Sequence, residues 1–265
     1  MSELTFARLQ ERLIKLRLGH VAVRLDALLS ESARAELSFL DFLDRLLAEE
    51  TEAKQRKRVT MGLQIAHFPH VKTLDAFDFA FSPTIDAQLV RELATGRFVA
   101  QAENVLIFGP PGVGKSHLAV ALGRAAVETG HSTLFTSATA LLGALAKAES
   151  DGSLDDRLTF FTKPKLLIVD ELGYLPFERR SAHLLFQLVS RRYERGSMLI
   201  TTNKAVTQWG GEFGDDMTAA AILDRLLHHS HTLTIQGDSY RLKEKKKAGS
   251  LGKRTLTDVR EGGQN

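Results

Sequence analysis

Over the first thirty residues, apolar side chains recur at helical spacing from Leu4 to Leu29. Ser38 then opens SFLDFLDRLLAEE, in which Ser38 and Asp41 have the spacing of a capping box. Phe39, Phe42, Leu43, Leu46 and Leu47 form one apolar stripe of that helix, and Pro69 marks its end. Residues 1–68 therefore read as a small all-helical N-terminal domain. Its stripe is either internal core or a surface that packs on another subunit or a partner. KTLDAFDFAFSPT follows as an aromatic-containing linker. Ser82 and Pro83 predict the N-cap and first residue of a helix reaching about Thr95, stopped by Gly96.

From Asn104 the pattern alternates between short apolar runs and longer amphipathic stretches. NVLIF, STLFTS, KLLIVD, SMLITTN and HTLTI read as strands. KSHLAVALGRAAVET, about 138–161, RRSAHLLFQLVSRRYER and AAAILDRLLHH read as the helices between them. Continuous apolar strands separated by amphipathic helices predict an α/β fold: a parallel sheet flanked by helices on both faces. That domain spans about 69–245. The basic stretch 246–265 has the composition of a disordered tail.

Composition adds limits. The 265 residues, 43% of them hydrophobic, suffice for one sizeable core plus a small helical unit. No apolar run reaches the roughly 18 residues of a membrane span. The N-terminal stretch lacks a signal peptide's apolar centre, so a cytoplasmic location and no membrane partner are expected. Cysteine is absent, which excludes disulfides and thiolate metal sites. The net charge is only +3, so a nucleic-acid partner is permitted but not demanded. The basic excess is local, in KQRKR (54–58) and RLKEKKKAGSLGKR (241–254).

Between the first strand and its helix lies GPPGVGKSH, Gly109 to His117. Gly109, Gly114, Lys115 and Ser116 match the phosphate-binding loop G-x-x-x-x-G-K-[ST] in full, and in the strand–turn–helix context it needs. Gly109, Pro110, Pro111, Gly112, Val113, Gly114, Lys115, Ser116 and His117 are thus the candidate nucleotide-binding residues. Glycines let backbone N–H groups turn towards phosphate oxygens, and the helix dipole adds to their field. Lys115 supplies a compact charge to the β- and γ-phosphates of ATP, and the Ser116 hydroxyl suits Mg2+. KLLIVDELG ends a buried strand in Asp170, a second Mg2+ candidate, and Glu171, a candidate base for water. Asn203, ending SMLITTN, is able to orient that water.

An adjacent Asp-Glu pair favours hydrolysis, but a small-molecule kinase and a nucleotide-dependent scaffold share parts of this pattern. GPPGVGKS, LLIVDELG, LITTN and LDRL correspond in order to Walker A, Walker B, sensor 1 and the arginine-finger element, and the chain resembles an AAA+ P-loop ATPase. After HTLTI only about 30 residues remain, so no C-terminal helical lid is expected. The resemblance implies that Arg225 acts at a neighbouring subunit's site, in a homo-oligomer with shared active sites. The alternative is an ordinary helix-surface ion pair. Arg241, in GDSYR, is a further candidate for contact with nucleotide or neighbour.

The lidless plan, with FLDRLLAEE, HFPHVKTLDAFDF and ILDRLLHHSHTLTIQGDSYRLK, is similar to IstB-type AAA+ proteins, relatives of the DnaC helicase loaders. That resemblance implies ATP-dependent assembly on target DNA and activation of the transposase of the same insertion sequence; helicase loading is the alternative. In initiator-type AAA+ proteins the region between the second and third strands faces nucleic acid. Lys147, Arg157, Lys163 and Lys165 there, and Arg179 and Arg180 after Walker B, are the candidate contacts to duplex DNA. Each is equally a solvated surface residue. With no base-reading motif, weakly sequence-selective, salt-sensitive binding is expected.

Overall fold

The computed structural model describes residues 3–173, 179–209, 216–237 and 239–240. The chain divides into two compact units, Met1–Gln64 and Ile65–Asn265.

In the first unit the helical periodicity is realised as α1 (Glu3–Lys15), α2 (Gly19–Arg34) and α3 (Phe39–Ile65). α1 stops because Arg17 takes a left-handed conformation (φ 58°), which lets the Leu18 N–H donate back to the Leu13 carbonyl at 2.8 Å. Ser38 does cap α3: its Oγ accepts from the Asp41 N–H at 3.2 Å. Leu13, Val21, Leu25, Leu28 and Leu46 form the core, with Phe42 packed against it. The buried Glu50 carboxylate accepts the Val21 N–H at 3.0 Å, where the positive end of α2 favours an anion. Of the predicted stripe on α3, Leu46 is core, whereas Phe39 (96% exposed), Leu43 and Leu47 face solvent.

The second unit holds α4 (Ala87–Ala94), α5 (Arg97–Ala100), β1 (Asn104–Phe108), α6 (Lys115–Glu128), β2 (Thr133–Ser137), α7 (Ala138–Ser150) and α8 (Leu154–Thr162). There follow β3 (Leu166–Leu172), α9 (Arg179–Arg192), β4 (Ser197–Thr202), α10 (Asp216–Leu227) and β5 (Ser230–Thr234). The five strands form one parallel sheet in the order β2-β3-β4-β1-β5. Successive strand residues serve opposite faces. Leu167, Val169, Met198 and Ile200 join one core with α7, α8, α9 and α10, whereas Leu166, Ile168, Leu199, Val105 and Ile107 join the other with α4 and α6. Burial on both faces is why these strands read as unbroken apolar runs.

The helix predicted from Ser82 starts later. Asp86 Oδ1 accepts from the Gln88 and Leu89 N–H groups at 2.8 and 3.0 Å and is the N-cap, while Ser82 begins a turn closed by Ile85 N–H to Ser82 O at 3.1 Å. At the amino edge of the sheet, Arg192 is 2% exposed and donates to the carbonyls of Phe161, Pro164, Lys165 and Ser197 at 2.7–3.1 Å. Burial pushes its pKa down to about 10, which leaves it charged at neutral pH. The guanidinium thus clips the turn from α8 into β3 against the start of β4. Among the described residues no helix is long and apolar enough to cross a membrane.

Candidate nucleotide-binding site

β1 delivers the chain to the phosphate-loop sequence at the carboxyl edge of the sheet. The Gly109 N–H donates to the Thr202 carbonyl at 3.2 Å, tying the loop's first residue to the end of β4. Gly109 has φ 154°, and a Cβ there would lie 2.5 Å from the Ile235 carbonyl oxygen. Gly114 has φ 101°, and a Cβ there would meet the Phe77 ring at 2.8 Å. Both positions need glycine for backbone conformation and for space. Gly114 is also the N-cap of α6, which has no side-chain cap, so the first-turn donors are left for an anion. Lys115 is 7% exposed, and its Nζ donates to the Gly109 and Pro110 carbonyls at 2.8 and 2.9 Å, which holds the ammonium across the loop.

The acid pair reaches the loop through Ser116, whose Oγ donates to Asp170 Oδ1 at 3.0 Å. Two oxygen donors so close suit a hard divalent cation such as Mg2+. Next to Asp170 the β3–β4 ladder is irregular. Val169 pairs with Ile200 and Leu172 with Thr202, so Asp170 and Glu171 together stand opposite Thr201. Glu171 is left-handed, with φ 63°. Its backbone N–H donates to Thr201 Oγ1 at 2.9 Å, and the same hydroxyl donates to Asp170 Oδ1. The Glu171 side chain is exposed, and its carboxylate accepts no hydrogen bond among the described residues.

The loop and Glu171 line a cavity of about 450 Å3. Pro111 to His117 and Glu171 form one side; His70, Lys72, Phe77, Asp78 and Phe81, together with Tyr240, form the other. The segment read from sequence as a linker is therefore a wall of the site. It is fixed to α6 by His117 Nε2 on the Thr73 carbonyl at 2.9 Å and by Phe77 edge-on to the His117 ring, 5.3 Å between centroids. The Tyr240 N–H donates to the Gly112 carbonyl at 3.0 Å. Three aromatics at alternate positions, Phe77, Phe79 and Phe81, just ahead of a phosphate-loop domain were the available signal for this wall. Thr201 gave less: a lone hydroxyl in an apolar strand.

Asn203 follows β4 immediately and does not line the cavity; its Oδ1 is buried and has no hydrogen-bond partner among the described residues. Arg225 lies elsewhere. Its neighbour Leu226 accepts from Asn104 Nδ2 at 3.1 Å, at the first residue of β1, whereas the loop begins past the last. The length of β1 separates the two, roughly 15 Å at about 3.3 Å per residue. Arg225 donates to the Ala221 carbonyl at 2.9 Å, and its guanidinium lies 4.8 Å from the Phe186 ring centroid. Among the described residues it makes no ion pair. Arg241 lies outside the described residues.

The candidate DNA cations are spread over α7, α8, α9 and the turn into β3. Lys147 is exposed on α7, and Arg157 on α8 lies 5.7 Å from the Phe160 ring. Lys163 and Lys165 are exposed on the turn into β3, beside the Arg192 clip. Arg179 and Arg180 open α9, and Arg180 pairs with Glu149 at 2.5 Å. A helical rise of about 1.5 Å per residue puts Arg180 roughly 18 Å along α9 from Arg192, and so away from Lys165.

Comparison with known proteins agrees with this architecture. The family model described as "IstB-like ATP binding protein" matches residues 11–248. The chain is 47% identical to the insertion sequence IS21 ATP-binding protein of Pseudomonas aeruginosa over 247 residues, 93% of each chain. Among solved structures, AMPPCP-bound DnaA from Aquifex aeolicus matches 74% of this chain and 58% of its own (TM-score 0.55, 18% identity). The DnaC helicase loader matches 62% of this chain and 96% of its own (TM-score 0.50, 24% identity). With an AAA+ P-loop sheet, a glycine-loop cavity and a family match over nine-tenths of its length, the chain belongs to the IstB-like ATP-binding proteins encoded by insertion sequences.

Proposed function

We propose that this protein hydrolyses ATP in the loop cavity and uses the ATP cycle to assemble on duplex DNA and assist the transposase of its own insertion sequence. One observation carries the hydrolytic part. A complete phosphate loop is hydrogen-bonded to the first of two acids, and the second lines the loop's cavity with no hydrogen bond to its carboxylate among the described residues. In this reading Gly109 to His117 bind the phosphates, with Lys115 on the β- and γ-phosphates. Ser116 and Asp170 hold Mg2+, which when bound offsets charge on the phosphate oxygens. Glu171 takes the proton of the attacking water, a role worth about 10²–10⁴ in rate. Asn203, whose Oδ1 has no hydrogen-bond partner among the described residues, stands beside the cavity without lining it and is assigned the orientation of that water.

Arg225 serves the site of the next subunit. Its distance from its own loop supports this, as does the way the Ala221 carbonyl and the Phe186 ring hold it with no ion pair among the described residues. DNA is bound through phosphates by Lys147, Arg157, Lys163 and Lys165, with weak sequence selectivity; Arg179 and Arg180 are the remaining candidates. The exposed Phe39, Leu43 and Leu47 of the N-terminal unit supply an apolar face for oligomerisation or partner docking. The transposase assignment rests on relatives named for their insertion sequences. Fold likeness to the DnaC helicase loader keeps helicase loading as the second reading.

The test is ATP turnover and particle size with and without duplex DNA. Free phosphate release that rises on DNA, together with larger particles, is expected. Phosphate transferred to an acceptor, or turnover and size indifferent to DNA, would refute the proposal. Pull-down with transposase and with replicative helicase separates the two readings.

A further inference from the structure

We infer that Thr201 is a positioning residue of the ATPase site, its buried hydroxyl setting both acids at the end of β3; this rests on the hydrolytic reading above. Glu171 points into the cavity because β3 carries one residue more than β4 at this point: Asp170 and Glu171 share the single partner Thr201. Such a bulge leaves an extra residue without a ladder partner and re-aims its side chain. Here the bulged Glu171 is left-handed, which for a residue with a Cβ is held only by its surroundings. The Glu171 N–H is held by one hydroxyl. Thr201 is fully buried, and its Oγ1 accepts the Glu171 N–H while donating to Asp170 Oδ1.

The hydroxyl therefore does what the missing ladder bond would have done, and it joins the backbone of the base to the carboxylate of its neighbour. Ser116 donates to the same oxygen, Asp170 Oδ1. A chain of hydrogen bonds thus runs from the first turn of α6 through Asp170 and Thr201 to the Glu171 backbone. Without the hydroxyl, the Glu171 N–H is left unpaired in a part-buried bulge and Asp170 loses a donor. The strand is then free to drop its extra residue, and a one-residue slip turns a side chain to the opposite face of a sheet. Glu171 would leave the cavity while the loop stayed intact.

Thr201→Val keeps shape and strand preference and removes only the hydroxyl. Hydrolysis should fall by about 10²-fold, the scale of a misplaced catalytic group, with ATP affinity in a fluorescent-ATP titration near wild type. Thr201→Ser restores the hydroxyl and should restore most of the rate. Thr201→Val turning over at the wild-type rate, or Thr201→Ser as slow as Thr201→Val, would overturn the inference. Should Thr201→Val lose ATP binding, Thr201→Ala repeats the comparison. Loss of binding in both would mean that the hydroxyl serves the fold and not Glu171. Glu171→Gln is measured alongside: if it hydrolyses normally, the hydrolytic reading itself fails. If it is inactive while Thr201→Val is fully active, only the role of Thr201 fails.

Discussion

The left-handed backbone of Glu171 predicts that glycine is better tolerated there than alanine, although both variants lose activity. A side chain in that conformation costs about 1–2 kcal/mol through its Cβ. Glycine removes the cost but adds about 0.5–1 kcal/mol of unfolded-chain entropy relative to alanine. The Glu171 carboxylate is exposed and accepts no hydrogen bond among the described residues, so truncation forfeits no such bond. Glu171→Gly should thus be more stable than Glu171→Ala by about 0.5–1 kcal/mol. Alanine is the right reference because both variants remove the same charge beside Asp170. For a unit of this size that is about 1–4 °C in melting temperature. Calorimetric melts of the two variants, with phosphate release measured on each, test it. Glu171→Gly melting at or below Glu171→Ala would show that the bulge stores no strain, and Glu171→Gly hydrolysing at the wild-type rate would remove Glu171 from the chemistry.

Three further outcomes follow from the placement of charges. Arg225→Ala and Lys115→Ala chains, each nearly inactive alone, should regain ATPase activity when mixed on DNA; a co-assembled but inactive mixture would mean that Arg225 does not act in trans. A finger arginine is worth about 10³–10⁵ in rate, so even a few restored interfaces are measurable. DNA affinity should fall with salt at a log–log slope of about −0.9 per phosphate contact. Replacing Lys163 and Lys165 together, and Lys147 and Arg157 together, should each flatten it, and slopes unchanged in both would place the DNA surface elsewhere. Arg192→Met takes a donor from four carbonyls, of which Lys165 keeps the Ser197 N–H, at about 1–3 kcal/mol for each one left buried and unpaired. Urea unfolding should show a loss of more than about 3 kcal/mol, and an unchanged midpoint would contradict the clip.

The sheet could be read from sequence because its strands are buried on both faces, and the loop because few chains place glycines as Gly109 and Gly114 are placed. What the sequence concealed has identifiable physical causes. Arg17 ends α1 in a conformation usually given to glycine, and the nearest glycine, Gly19, stands two residues further on, as the first of α2. Ser82 and Asp86 are both good caps, and Asp86, with two N–H donors, prevails. KTLDAFDFAFSPT forms neither helix nor strand, so its alternating aromatics read as a linker although Phe77 packs on Gly114 and His117. Threonine suits any strand, so the function of the Thr201 hydroxyl emerges only when β3 and β4 are in register with one residue to spare.

The central claim is that one cavity binds ATP through Lys115 and cleaves it through Glu171, as separable steps. Equilibrium ATP titration and single-turnover phosphate release on Lys115→Ala and Glu171→Gln measure both steps at once. Lys115→Ala should lose ATP binding; Glu171→Gln should bind ATP as wild type does and hold it uncleaved. Equal loss of binding in the two variants, or phosphate released by Glu171→Gln at the wild-type rate, would contradict the claim.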